Sequence, residues 1–256
     1  MVGKFLVRGM LAGVVAGVLA FGFARFYGEP QVEQAISLED HGAAAGGHSH
    51  GPAEASVHTH EHEHEHEEEL VSRPTQAGLG LLTGVVVFGA AVGGLFALVF
   101  AYAHGRVGRL GARALSAWLA LAAFTTLVLV PNIKYPANPP SVGMAESIGY
   151  RTDLFFLMIA ISITVMVFSL KVRGALVARL GAWNGSIAGA GVFVAITAVV
   201  LNLLPALNEV PSNFPAALLW EFRIAAVGIQ LLMWTVIGLL FGWLVERVQR
   251  TGIRRH

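Results

Sequence analysis

Long stretches without charge dictate what this chain can fold into. Residues 78–103, 114–133, 154–170, 180–208 and 224–245 contain no Asp, Glu, Lys or Arg, and residues 5–23 contain only Arg8. A helix of roughly 20 apolar residues spans a hydrocarbon core of about 30 Å. Each stretch meets or approaches that length, so the chain reads as an all-α integral membrane protein with about six transmembrane helices. Composition agrees. Charged residues make up 13% of the chain, against about 25% in a soluble domain, and many of them crowd into one segment.

The first stretch is read as a retained helix. Lys4 and Arg8 would serve as the basic region of a signal peptide, but Ala24-Arg25-Phe26-Tyr27 offers no cleavage motif of small residues. Gly9, Gly13 and Gly17 recur every fourth residue, a pattern that lets helix backbones approach closely in a membrane.

With six spans both termini lie on one side. Lys4, Arg8, Arg106, Arg109, Arg113, Lys171, Arg173, Arg179, Arg247, Arg250, Arg254 and Arg255 fall on that side. Arg25, Arg73, Lys134, Arg151 and Arg223 fall on the other. Loops rich in Lys and Arg stay in the cytoplasm. The expectation is a multi-pass protein of the cytoplasmic membrane with both termini inside.

Residues 1–256 are read as one transmembrane domain that includes an extracytoplasmic loop over 27–77. That loop is rich in Gly, Ala, Glu and His and poor in β-branched and aromatic residues, a composition expected to stay disordered. The sequence RLGA at 109–112 recurs at 179–182. Each copy leads into an apolar span and then a turn, LVPNIKYPANPP at 129–140 and LLPALNEVPSNFP at 203–215. Arg151 and Arg223 open the spans that follow, as Arg73 opens its own. The pattern reads as three repeated helical hairpins, although apolar sequences also resemble one another by composition alone. Internal repeats of this kind are common in transporters, where sites lie at repeat interfaces.

Eight of the ten histidines, His41, His48, His50, His58, His60, His62, His64 and His66, lie in the outer loop. Imidazole is a good ligand for cobalt, nickel, copper and zinc, and Glu61, Glu63 and Glu65 can complete a coordination shell. Residues i and i+2 of an extended chain point the same way, so 58–66 (HTHEHEHEH) would present a row of imidazoles. Such an arm suits adaptable capture of a transition metal and does not select one metal. A pH sensor, an acidic spacer and an expression tag compete with that reading. The turns supply a second candidate region, a vestibule formed by Asn132, Lys134, Pro136, Asn138, Pro139, Pro140, Asn208, Glu209, Asn213, Glu221 and Arg223. Asn202 brings a further amide. Helix stops and turns account for the same residues more plainly, because proline lacks a backbone N–H and disfavours helix before it.

The absence of cysteine excludes disulfides and thiolate ligands. No basic groove supports nucleic-acid binding, and no catalytic residue set or tightly bound cofactor is expected. His104 is read as interfacial, and Met10, Met144, Met158, Met166 and Met233 as packing. Charged residues avoid mid-membrane positions, where one would mark a proton or ion relay.

Residues 8–13 (RGMLAG), the turn at 131–140 (PNIKYPANPP) and the six-helix layout with a variable first outer loop resemble the CbtA-type cobalt transporter subunit family. The resemblance covers nearly the whole chain outside the histidine segment. It implies cobalt uptake linked to cobalamin synthesis and a small single-span, histidine-bearing partner subunit, CbtB. Cation diffusion facilitators need paired His/Asp ligands within helices, and nickel/cobalt permeases need a His-x4-Asp-His motif; neither is present. The expected function is transport of a transition metal, with cobalt before nickel or zinc. The alternative is a non-transporting membrane sensor of metal or pH, or a scaffold subunit.

Overall fold

A computed structural model describes residues 2–46, 72–108, 110–140 and 142–253. The described residues form helices and connecting turns, in the order α1 (Val2–Phe23), α2 (Glu29–Gly46), α3 (Arg73–Thr75), α4 (Leu81–Ala103), α5 (Ala112–Ala123), α6 (Val130–Lys134), α7 (Ile148–Leu203) and α8 (Ala216–Ile253). Five helical units are long and apolar enough to cross a membrane, against the six spans expected.

The difference lies in α7. Its 56 residues would extend about 84 Å at 1.5 Å per residue if straight. Gly181 interrupts it with φ 78° and ψ 167°, a left-handed backbone that favours glycine. Beyond that point the chain returns along itself. A side-chain carbon at Gly185 would lie 2.8 Å from Val177 N, and one at Gly189 would lie 2.7 Å from Arg173 Cβ. Arg173 Nε also donates to Ser186 Oγ at 2.9 Å. Residues equally distant from Gly181 therefore face each other, and α7 is a helical hairpin with arms 148–180 and 182–203.

Glycine sets a close crossing between α1 and α4 as well. Gly9 and Gly13 of α1 meet Gly93 and Gly89 of α4, where a side-chain carbon on any of the four would overlap a carbonyl oxygen of the facing helix. Farther along, a carbon at Gly17 would lie 2.7 Å from Val86 Cα. The two helices run antiparallel with their backbones in contact, the geometry that small residues permit in membranes. α8 closes this pair into a core and α5 lies along α8, where Ser116 Oγ donates to Gly238 O at 2.6 Å. Phe96, Phe100 and Phe241 fill the centre, with Phe100 and Phe241 centroids 4.9 Å apart. Of the three expected hairpins the first pairs as α1 with α4, while α5 packs chiefly along α8 and the arms of α7 pair with each other.

Two prolines shape the remaining helices. Pro30 and Pro131 each follow a π turn, Ala24–Gly28 and Phe124–Leu129. Proline removes one N–H and crowds the carbonyl four residues back, and a widened π turn makes room at that position. The helix therefore survives Pro30 and continues through α2. At residues 29–46 and 73–77, which are helical, this corrects the expectation of disorder across 27–77, while residues 47–71 lie outside the described ones. Ala, Glu, Gln and Leu in α2 are good helix formers, and Glu29 pairs with Arg73 at 2.8 Å across the base of the connection.

Candidate functional site

A cavity of about 430 Å³ opens at the proline-rich end of the molecule, lined from α6, the turn after it, α7, the 204–215 segment and α8. Polar links from four side chains build its wall. Lys134 Nζ, at the end of α6, donates to Leu201 O at 2.7 Å, and Tyr135 Oη donates to Pro205 O at 3.0 Å. They reach the end of the second α7 arm and the segment just after it, tying the two turns together. Arg223, in the second turn of α8, donates from Nε to Ala137 O at 3.3 Å and from Nη2 to Asn138 Oδ1 at 2.9 Å. Arg151, near the start of α7, meets Glu209 Oε2 at 2.9 Å.

Below the cavity Val130, Tyr135, Leu154 and Met158 form a small buried core. It fixes α6 against both arms of α7. Tyr135 is buried, and loss of hydration pushes its phenol above the ordinary value, with Tyr150 adding to the effect. It stays a protonated donor. Glu209 moves the other way: a hydrogen bond from Ser147 and the adjacent Arg151 guanidinium hold its carboxyl below the usual range, against the opposing effect of burial. Gly143 has φ 119°, and a side-chain carbon there would overlap Arg151 Nη1. The bare backbone at 143 is what lets Arg151 reach Glu209.

Of the vestibule residues expected from sequence, Asn132, Lys134, Pro136, Asn138, Glu209 and Arg223 line the cavity. Pro139, Pro140, Asn208, Asn213 and Glu221 do not; the last three are exposed on the surface. Asn132 closes its own turn, donating to Val128 O at 2.9 Å. Tyr135, Arg151, Thr152 and Gln230 also line it, beyond the residues expected from sequence. His48, His50, His58, His60, His62, His64 and His66 lie outside the described residues, and His41 belongs to the distal part of α2. Among the described residues, no three His, Cys, Asp or Glu side chains come together in a metal-holding group. His104 stacks on Phe5 with centroids 6.2 Å apart, at the end of α4.

Five long apolar helical units, a close glycine crossing and a polar cavity at one end of the bundle define a polytopic α-helical membrane protein. A family model described as "Probable cobalt transporter subunit (CbtA)" matches residues 2–246. The chain belongs to that family. No curated protein and no solved structure matches it.

Proposed function

We propose that this chain is the membrane-embedded subunit of a cobalt uptake system of the cytoplasmic membrane, serving cobalamin synthesis. The family match across residues 2–246 carries the proposal. Because α7 folds back at Gly181, the chain would cross six times, with both termini inside by the distribution of Lys and Arg. The histidines of the first outer connection would concentrate Co²⁺, or Ni²⁺ and Zn²⁺ with less consequence, through neutral imidazole and neighbouring carboxylates. The cavity at the outer ends of α6, α7 and α8 would be the vestibule. A partner fits the word subunit in the family description, and a small histidine-bearing single-span protein of the CbtB type is the proposed one.

Accumulation of radioactive cobalt in cells producing this chain, with and without the partner, tests the proposal. Cobalt should rise at least several-fold over cells lacking the chain. No rise under either condition rejects transport and favours a sensor or scaffold. Deleting residues 47–66 should reduce uptake at scarce cobalt and spare it at abundant cobalt. Capture should also fade below about pH 6, as imidazoles with an ordinary value near 6.5 take up protons.

A further inference from the structure

The cavity wall carries the wrong charge for a bare metal cation. Lys134, Arg151 and Arg223 stand around it against a single carboxylate, Glu209. Arg151 neutralises that carboxylate at 2.9 Å, so Lys134 and Arg223 supply an excess of positive charge. Both are held in place by hydrogen bonds. Lys134 uses one ammonium proton on Leu201 O, and Arg223 uses two of its five N–H donors on Ala137 O and Asn138 Oδ1. The remaining donors belong to side chains that line the cavity, alongside the neutral polar groups of Asn132, Thr152 and Gln230. Guanidinium and ammonium groups are strong donors to carboxylate and phosphate oxygens, and a site partly shielded from water strengthens such contacts. A volume of about 430 Å³ suits a small molecule, since such pockets usually measure about 300–1,000 Å³.

We infer that this cavity binds a small oxyanion with two or more negative charges, of polycarboxylate or phosphate chemistry. One consequence, and only this one, rests on the cobalt proposal: the metal meets the cavity as an anionic polycarboxylate chelate, whose outer oxygens Lys134 and Arg223 receive.

Calorimetric titration of the full chain in non-ionic detergent tests the inference, with citrate, inorganic phosphate and cobalt chloride added separately at constant ionic strength. Citrate or phosphate should saturate at one per chain. Lys134→Gln and Arg223→Gln should each weaken that binding about tenfold, the worth of a charged hydrogen bond. Lys171→Gln, which removes the same charge at the opposite end of the first α7 arm, should leave it unchanged. Arg223 also anchors the turn through Ala137 and Asn138, so Gln230→Glu provides a second route. It leaves those bonds intact, brings a carboxylate to the wall and should weaken binding similarly. No saturable binding of either anion overturns the inference, as does undiminished binding in both Lys134→Gln and Gln230→Glu. Repeating the titration in phosphatidylcholine nanodiscs with and without phosphatidic acid, whose phosphomonoester headgroup can carry two negative charges, separates the sources. Competition by the anionic lipid assigns the oxyanion to a headgroup, and its absence assigns it to a free anion. Citrate binding without cobalt uptake would reject transport alone; uptake without anion binding would reject this inference alone.

Discussion

At the residue scale, Glu209 is where electrostatics and fold meet. Its carboxyl is held below the ordinary value of 4.5 by Ser147 and Arg151, so the folded state favours the charged form. Such a group contributes stability that is fully present above the unfolded value and is lost as pH falls through the lower, folded one. Thermal midpoints of the wild-type chain should therefore drop as pH is lowered below about 4.5, with a smaller drop in Glu209→Gln, which has no charge to lose. Parallel curves for the two proteins would show that the Arg151–Glu209 pair does not govern acid stability. The same cluster shows how far single residues could be read in advance. Asn132, Lys134 and Asn138 were legible because prolines and amides crowd into one turn. Gln230 was not singled out, yet it follows Arg223 and Ala226 at i+7 and i+4, on one face of α8, a spacing that places residues together on a helix. Arg151 was visible as the opening of a span, but its partner lies 58 residues away, and no local pattern encodes that distance.

At the element scale, glycine spacing was the most informative signal. Gly9, Gly13 and Gly17 pointed to a close helix contact, and α4 supplies the answering Gly89 and Gly93. Sequence could not say which helix would answer, because several spans are glycine-rich and the choice depends on shape complementarity along the whole crossing. Replacing Gly13 by Leu should force α1 and α4 apart and cost about 1–3 kcal/mol, the usual penalty of overpacking. Gly22, with no neighbour within 4 Å of an added carbon, should accept Ala within about 0.5 kcal/mol, as open positions usually do. Unfolding of both variants in mixed micelles measures the contrast. Equal loss would mean that helix propensity, not contact, governs these positions. The π turn before Pro30 shows why the disorder expected from composition over 27–77 does not begin at its start. The turn relieves the clash at the proline, so α2 prolongs α1 well into that segment.

For the whole molecule, the number of crossings decides on which side every later segment lies. If α7 crossed once, its 56 residues would reach about 84 Å through a core of about 30 Å, leaving apolar helix in water. Folding back at Gly181 removes that cost and returns the 204–215 segment to the side that holds Lys134 and Arg151. The contacts of Lys134 with Leu201 and of Arg151 with Glu209 require this return, so the cavity exists only because α7 folds back on itself. The chain has no cysteine of its own, which makes single introduced cysteines unambiguous reporters. In intact cells, a membrane-impermeant maleimide should label cysteine at Ser72, Met144 and Ser212. Cysteine at Val107 and Asn184 should react only after the membrane is opened. Ser212 is the decisive position, because a single crossing by α7 would place it with Val107. Labelling of Ser212 only in opened cells would dismantle the cavity as a shared outer site, and with it both the vestibule and the anion site.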